Sequence, residues 1–267
     1  MKTYYFLSGL PRSGSSMLSA LLNQNPTFYS GPSSPVCGSI VALESSIENN
    51  DLYKSYPKPA YKKSMLQSSL YNYYNDVKED IIFDKNRSWT HRPEYISKYF
   101  DIKNPKIICT VRNLDEVLTS FIAMISRNQD KKLNFIDRFL QSNNLPLNDF
   151  TRCQYIASDG PLGRAYTGLK NALSGELKDN ILLVEYSDLV ENTDATMKSI
   201  YNFIEQPYYQ HDYKNLYNKH REKDNKVYGL SDMHHVSSKI KYYCRKPADV
   251  LPPQVISDVR GLEFWRQ

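Results

Sequence analysis

Four short apolar runs recur along the chain, and each is followed by polar loop residues and then by a segment whose apolar positions have helical spacing. The runs are Tyr4 to Leu7, Ile81 to Phe83, Ile107 to Val111 and Ile181 to Val184. Buried strands that alternate with amphipathic helices are typical of parallel β-α units. The pattern therefore predicts an α/β protein with a central parallel β-sheet flanked by helices.

The helical segments are predicted from apolar residues three and four positions apart. The helix after the first strand ends near Asn25, and the polar, tyrosine-rich region 30–80 is predicted to hold two helices outside the sheet. After the third strand, Asn113 and Glu116 have the spacing of a capping box at the start of a helix. The C-terminal segment is polar and weakly periodic, which predicts loops and short helices that close over the site.

Composition and length are those of one globular domain. The chain has 267 residues, of which 40% are hydrophobic and 24% charged, and it has no internal repeat or low-complexity linker. We therefore predict a single domain over residues 1–267. The four cysteines are far apart and have no C-x-x-C spacing, so the sequence indicates neither a zinc site nor a disulfide framework.

Charge and hydropathy limit the class of partner. A net charge of +5 suits an anionic cofactor or an acidic acceptor, but there is no concentrated basic stripe or recognisable nucleic-acid-binding module. No apolar run approaches the length of a membrane span, and no cleavable signal sequence is evident. We therefore expect a cytoplasmic protein that binds neither nucleic acid nor membrane.

The turn after the first strand carries the most specific signal. Gly9 and Gly14 have the separation found in the nucleotide-binding pattern G-x-x-x-x-G-K-[ST], but Ser15 stands in place of the lysine and Arg12 lies inside the loop. Backbone amides in such a turn converge on an anion, and the helix dipole adds to them. Because the missing lysine would contact the β- or γ-phosphate, we expect a poor fit to an ordinary nucleoside triphosphate.

Two motifs together point to a family. The turn Pro11-Arg12-Ser13-Gly14-Ser15-Ser16 resembles the loop with which sulfotransferases bind the 5′-phosphosulfate of 3′-phosphoadenosine-5′-phosphosulfate (PAPS). Arg112, followed by Ser120 eight residues on, resembles the second signature of that family, which holds the 3′-phosphate. The chain is similar to PAPS-dependent sulfotransferases, in pattern most of all to the bacterial or phage-type and heparan-type members. The resemblance covers roughly residues 4–240 and implies a P-loop-like fold.

The second strand ends in Asp84 and Lys85, which resembles the strand of heparan-type enzymes where an acidic residue before a lysine carries the catalytic base. The resemblance implies that Asp84 is the base and that Lys85 is a cation beside the leaving phosphate. Cytosolic small-molecule enzymes instead have a histidine just after the lysine, whereas Asn86 and Arg87 stand here. A buried ion pair of Asp84 with Lys85 or Arg87 is the structural alternative.

Two later segments complete the resemblance. Tyr186 lies in a segment similar to the family's Y-E-D-L turn, whose tyrosine lies against adenine; a core role is the alternative. Met17 occupies the position where small-molecule members have an adenine-stacking tryptophan. Ser237, Ser238 and Lys239 resemble the loop that closes over the 3′-phosphate in bacterial enzymes.

The histidines next to that loop are not predicted to bind a metal. His234 and His235 are interpreted as loop-packing or phosphate-side residues, because the sequence shows no third ligand. No metal is therefore expected.

The resemblance implies in-line transfer of a sulfuryl group from PAPS to a hydroxyl or amine of a small-molecule, carbohydrate or peptide acceptor, leaving adenosine 3′,5′-bisphosphate (PAP). Arg12 would neutralise charge on the transferring group. A nucleotide kinase or related P-loop phosphotransferase is the alternative, with Ser15 or Ser16 on Mg²⁺ and Asp84 on the second metal-binding strand. A non-catalytic nucleotide-binding protein on the same fold is a third hypothesis.

Overall fold

The computed structural model describes residues 2–128, 133–220 and 222–266. Within them five strands form one sheet: β1 (Thr3–Gly9), β2 (Phe28–Ser33), β3 (Ile81–Lys85), β4 (Ile107–Val111) and β5 (Ile181–Glu185). The strand order is β2-β3-β1-β4-β5, and every neighbouring pair is parallel. The predicted fold class, a parallel sheet flanked by helices, is confirmed.

Helices cover both faces of this sheet. In the described residues they are α1 (Ser15–Leu22), α2 (Val36–Glu48), α3 (Asp51–Ser55), α4 (Pro59–Tyr73), α5 (Pro93–Phe100), α6 (Leu114–Ser126), α7 (Phe135–Ser142), α8 (Asp149–Ala157), α9 (Pro161–Leu173), α10 (Tyr186–Glu191), α11 (Thr193–Phe203), α12 (Asp224–Tyr228) and α13 (Pro253–Val259). Short 3₁₀ turns occupy Arg87–Thr90, Lys178–Asn180, Pro247–Asp249 and Phe264–Arg266. No helix in the described ranges is both long enough and apolar enough to cross a membrane.

The strand β2 was not predicted from the sequence. It contains Gly31 and Pro32, which interrupt the apolar pattern, and its pairing with β3 is irregular between Ser30 and Ser33. A proline is tolerated here because β2 is an edge strand, where one row of amides needs no ladder partner. The region 30–80 also holds three helices, α2 to α4, rather than the predicted two.

The sheet has a hydrophobic core on each face. Successive residues of β1 point to opposite faces, so Phe6 packs with Trp89 in one cluster and Leu7 packs with Leu21 in the other. Parallel strands buried on both faces are expected to be continuously apolar, which is why four of the five strands could be recognised as apolar runs.

The helix α6 begins directly after Asn113, as predicted, but the capping box does not form. The Asn113 side chain makes no cap hydrogen bond; its Nδ2 donates to Glu116 Oε1 at 2.9 Å. The Leu114 amide donates instead to Glu263 Oε1, at 3.1 Å. The Glu116 carboxylate is engaged by Arg112 at 2.9 Å, so this residue contributes to the cavity described below rather than to the cap.

A buried carboxylate joins three helices outside the sheet. Glu44 of α2 is 8% exposed and accepts hydrogen bonds from the hydroxyls of Tyr95 and Tyr99 on α5. Lys62 of α4 and Lys98 of α5 each lie 3.3 Å from the same carboxylate. Burial raises the pKa of Glu44, but these donors together outweigh burial and lower the pKa to about 2.

We predict that Glu44→Gln lowers the free energy of unfolding by about 2 kcal/mol at pH 7, because an amide cannot satisfy all four donors. The folded-state pKa of about 2 lies below the ordinary value of 4.5. The stabilisation by the wild-type carboxylate is therefore complete above pH 4.5 and is lost as the pH falls towards 2. Denaturant unfolding of both proteins at pH 7 and pH 3 measures the difference.

Glu48→Gln is the matched control, because the Glu48 carboxylate contacts Lys62 but its side chain is 55% exposed. This control should change stability little at either pH. If the difference in free energy of unfolding between wild type and Glu44→Gln is as large at pH 3 as at pH 7, the stabilising role assigned to the Glu44 carboxylate is wrong.

Candidate active site

One large cavity, of about 1380 Å³, opens at the carboxyl ends of the strands. Ligands of open α/β sheets bind at this edge. The cavity is lined by residues that follow each of the five strands and by a C-terminal segment; these include Leu10 to Arg12 after β1, Ser34 and Pro35 after β2, Asn86 to Ser88 after β3, Arg112 after β4, Tyr186 after β5, and residues 231–237 and 241–245.

The loop between β1 and α1 depends on two glycines. Gly9 and Gly14 have φ angles of +113° and +94°. A Cβ at Gly9 would lie 2.2 Å from the carbonyl oxygen of Thr110, so only glycine lets the loop lie this close to β4. Ser13 strengthens the same contact, since its Oγ lies 2.6 Å from Thr110 Oγ1. Ser13 is fully buried and does not line the cavity.

The first turn of α1 presents unpaired amides to the cavity. Among the described residues, Leu18 is the first residue of α1 whose amide donates within the chain, to the Gly14 carbonyl at 2.9 Å. The amides of Ser15, Ser16 and Met17 are therefore unpaired in this part of the chain, and all three residues line the cavity. Together with the positive end of the helix dipole they can bind a phosphate or sulfate group.

Arg12 connects this loop to α6 and to the C-terminal segment. Its Nε donates to Ser120 Oγ at 3.1 Å, and its Nη1 donates to the carbonyl of Met233. Burial, followed by the neighbouring Arg112 and Arg127, lowers the pKa of Arg12 to about 10, so the guanidinium is charged at neutral pH. No carboxylate of the described residues lies within 4 Å of it, which leaves this cation available to an anion in the cavity.

Arg112 lies at the centre of a second cluster. Its Nε donates to Glu116 at 2.9 Å, its Nη1 to the Arg12 carbonyl at 3.1 Å and its Nη2 to the Tyr243 carbonyl at 2.7 Å. Its guanidinium carbon lies 4.1 Å from the centre of the Tyr186 ring, in a cation–π contact. The structure thus brings the two sequence motifs and Tyr186 to one cavity.

Most of the site residues proposed from sequence line this cavity: Pro11, Arg12, Gly14, Ser15, Ser16, Lys85, Arg112, Ser120, Tyr186, Ser237 and Lys239. Three do not, namely Ser13, Asp84 and Ser238. Ser238 instead accepts a hydrogen bond from the Leu216 amide through its carbonyl, at 2.8 Å.

The structure contradicts the prediction that Asp84 is the catalytic base. Consecutive residues of a strand point to opposite faces of the sheet. Lys85 lines the cavity, whereas Asp84 is 0% exposed and does not reach it. For the same reason Asp84 is not available as a magnesium ligand in the kinase alternative.

The Asp84 carboxylate is satisfied by neutral donors. Its oxygens lie 2.7 and 2.8 Å from Ser34 Oγ, 2.9 Å from the Tyr74 hydroxyl and 2.6 Å from Trp89 Nε1. Burial raises the pKa of Asp84, although these hydrogen bonds oppose the shift. No Lys or Arg nitrogen of the described residues lies within 4 Å of it, so the structural alternative, an ion pair with Lys85 or Arg87, does not form either; Lys85 faces Glu222 instead.

A histidine–carboxylate group that was not evident from the sequence places His234 on the cavity wall. His234 Nδ1 lies 2.7 Å from Asp224 Oδ1 and 3.2 Å from Glu222 Oε2, and the His234 amide donates to Asp224 Oδ2 at 2.9 Å. An Nδ1–H donor to this carboxylate leaves Nε2 as a proton acceptor. The sequence showed the histidine, but its acidic partners lie in a segment without apolar periodicity.

These three residues are also the described residues that could hold a metal ion, since their ligand atoms lie within 4.8 Å of one another. The sequence had shown no such third ligand. However, Glu222 Oε1 already faces the Lys85 ammonium at 3.6 Å. A second cation beside this ammonium would be repelled, which favours a proton-transfer role for the group.

The model of the Sulfotransferase family matches residues 5–211. The sulfotransferase domain from the curacin biosynthetic pathway has a TM-score of 0.52 and 16% identity, with 96% of each chain covered. Mouse sulfotransferase SULT7A1 complexed with PAP has a TM-score of 0.53 and 12% identity, with 99% of this chain and 87% of that chain covered.

At such identities the two structures establish the fold alone. No curated protein matches the chain in sequence. The family model, by contrast, spans most of the chain, including the loop after β1 and the Arg112 to Ser120 segment. This protein therefore belongs to the sulfotransferase family.

Proposed function

We propose that this protein transfers a sulfuryl group from PAPS to a hydroxyl or amine of an acceptor. One observation carries the proposal: the unpaired amides of the β1–α1 loop and Arg12 face the same cavity as Arg112 and Ser120. Two separate cationic groups at one edge of the sheet match a nucleotide with anions at both its 5′ and 3′ ends.

The donor would span the cavity from the β1–α1 loop towards β4 and β5. The amides of Ser15 and Ser16 and the guanidinium of Arg12 suit the 5′-phosphosulfate. Ser120 and Arg112 suit the 3′-phosphate. The Arg112 Nη2 now donates to the Tyr243 carbonyl at 2.7 Å, and a phosphate is a stronger acceptor than this carbonyl. We infer that the 3′-phosphate would replace it.

Transfer forms a bond between the acceptor atom and sulfur as the bond from sulfur to the 5′-phosphate oxygen breaks, leaving PAP. The Lys85 ammonium, on the cavity wall, would stabilise charge on the departing phosphate, and Arg12 would stabilise charge on the sulfuryl oxygens. The proton of the acceptor would pass to His234 Nε2, because Asp224 holds the other ring nitrogen at 2.7 Å. In this proposal His234 is the general base, the role that the sequence had suggested for Asp84.

We predict that PAP binds without Mg²⁺ and more tightly than ATP, because the β1–α1 loop lacks the lysine that contacts a β- or γ-phosphate. Titration calorimetry with PAP and with ATP, each with and without Mg²⁺, measures both preferences. A magnesium-dependent preference for ATP would support the kinase alternative and overturn this proposal.

Arg112→Lys should weaken PAP binding about tenfold, since a lysine cannot donate two parallel hydrogen bonds to a phosphate. Its affinity for adenosine 5′-monophosphate, which has no 3′-phosphate, should fall less, because the 5′-phosphate is affected only indirectly, through the contact of Arg112 with the Arg12 carbonyl. Arg260→Lys is the control, because Arg260 is exposed and lies outside the cavity. If Arg112→Lys lowers both affinities equally, the 3′-phosphate assignment is wrong.

His234→Gln should lower the rate of transfer by about 10²–10⁴-fold, the usual contribution of a general base, while PAP affinity is retained. The measurement uses labelled PAPS and the best acceptor from a panel of hydroxyl and amine compounds. His91→Gln serves as the control and should behave like wild type, because His91 is exposed and lies outside the cavity. Asp84→Asn should instead lower the melting temperature, because Asp84 is buried, and leave the turnover of folded protein nearly unchanged. The reverse outcome, with turnover lost in Asp84→Asn alone, would refute the assignment of His234.

A further inference from the structure

The segment 263–266 contacts the ends of two neighbouring strands, β4 and β5, from outside the cavity. It follows α13, and none of its residues lines the cavity. Its side chains contact Glu185, the last residue of β5, and Asn113, which directly precedes α6. Arg112 and Tyr186, which are the chain neighbours of these two residues, do line the cavity. The segment 263–266 therefore supports one wall of the cavity from behind.

Arg266 makes the central contact of this segment. Its Nε and Nη2 donate to the two oxygens of the Glu185 carboxylate at 2.7 and 2.8 Å, and its Nη1 donates to Asn113 Oδ1 at 2.6 Å. The Trp265 Nε1 donates to the same carboxylate at 2.9 Å. A single exposed ion pair contributes little to stability, but a two-point contact within a network holds its groups in one geometry. Arg266 thus ties the end of β5 to the start of α6.

A relay of side chains leads from Arg266 to the guanidinium of Arg112. The Asn113 side chain accepts from Arg266 through Oδ1 and donates through Nδ2 to Glu116 Oε1 at 2.9 Å. The other oxygen of Glu116 accepts from Arg112 Nε, also at 2.9 Å. An amide whose oxygen faces a donor must present its NH₂ group on the other side. Arg266 therefore fixes the orientation of Asn113, and with it the position of the Glu116 carboxylate.

A second connection to the same guanidinium runs through the end of β5. Glu185 is followed directly by Tyr186, whose ring centre lies 4.1 Å from the guanidinium carbon of Arg112. The contact with Arg266 fixes Glu185 at the point where this strand ends. The Tyr186 ring and the relay from α6 both orient Arg112, and both connections begin at Arg266.

The segment 263–266 has anchors of its own that involve no residue of the cavity. The Phe264 ring packs edge-on against Tyr166 of α9, with 5.0 Å between the ring centres. Glu263 Oε1 accepts from the Leu114 amide at 3.1 Å and so satisfies one of the amides at the start of α6 that have no partner within the helix. These contacts hold Arg266 in position whatever the cavity contains.

We propose that Arg266, from outside the cavity, is a positioning residue that orients Arg112 for the 3′-phosphate of the donor. The inference rests on the proposed function, in which Arg112 binds this phosphate. A guanidinium donates two parallel hydrogen bonds to a phosphate only when its plane is correctly oriented. Loss of the contacts of Arg266 therefore weakens the 3′-phosphate site without removing a charge from the cavity. The 5′ end of the donor is affected only indirectly, through the contact of Arg112 with the Arg12 carbonyl.

Titration calorimetry with PAP and with adenosine 5′-monophosphate tests the proposal. Arg266→Met should weaken PAP binding roughly three- to tenfold, the range of residues that act through a network of contacts, and should weaken binding of the monophosphate less. Arg260→Met is the matched control and should change neither affinity, because Arg260 is exposed and lies outside the cavity. Unchanged PAP affinity in Arg266→Met, or equal losses for both nucleotides, would overturn the proposal.

A double-mutant cycle separates positioning from a general effect on the fold. In the Arg112→Lys background there is no guanidinium to orient, so Arg266→Met should weaken PAP binding by no more than about twofold further. If Arg266→Met lowers PAP affinity by the same factor in both backgrounds, Arg266 does not act through Arg112. The Arg266 side chain is 44% exposed, so its replacement should leave the protein folded. Arg266→Gln, which also lacks the paired contact, replaces Arg266→Met if the latter does not fold.

Hydrogen exchange of the free protein distinguishes failure of this inference from failure of the proposed function. If wild type does not bind PAP, the proposed donor is wrong. Arg266→Met should still speed the exchange of amides in residues 112–118 by about threefold or more, because contacts that hold the start of α6 are lost, while exchange in α11 stays as in wild type. Unchanged exchange in residues 112–118 would overturn the positioning role itself.

Discussion

The guanidinium of Arg112 is the contact on which the geometry of the site depends. It contacts four separate segments: α6 through Glu116, the β1–α1 loop through the Arg12 carbonyl, the segment after β5 through the Tyr186 ring, and the C-terminal segment through the Tyr243 carbonyl. A single charged group that satisfies several neutral acceptors and one carboxylate can hold irregular segments together without a hydrophobic core between them. The wall of the cavity is therefore built around a cation rather than around apolar packing.

Other charged side chains of the cavity are also held by contacts with groups of opposite charge. Carboxylates are used to hold cavity residues in position: Glu116 holds Arg112, Asp224 orients His234, and Glu222 faces Lys85. Arg12, Arg87 and Arg127 have no carboxylate within 4 Å among the residues described. A ligand that binds only the folded state stabilises that state, so an anion bound at these cations would raise the stability of the protein.

Much of the fold and of the cavity wall formed by the β1–α1 loop and Arg112 could be predicted from sequence, because both are encoded locally. Four strands are continuous apolar runs, and the anion loop is a contiguous pattern whose glycines are required by positive φ angles and by the close approach to Thr110. The edge strand β2 was not recognisable, since Gly31 and Pro32 interrupt its pattern and an edge does not demand burial on both sides. Asn113 and Glu116 have the spacing of a capping box, but the box does not form. The Glu116 carboxylate instead accepts a hydrogen bond from Arg112, which is the stronger interaction because both groups are charged.

The sequence by itself determined the parallel α/β architecture, the family and two of the motifs that line the cavity, because hydrophobic periodicity and turn chemistry act over a few neighbouring residues. It did not determine which of two adjacent residues, Asp84 or Lys85, faces the cavity. That choice depends on the face of β3 that packs against Trp89 and Tyr74, and hence on the whole sheet. Nor did it determine that Glu222 and Asp224 meet His234, or that Arg87 and Arg127 line one cavity. These contacts join segments distant along the chain, so only the tertiary structure could decide them.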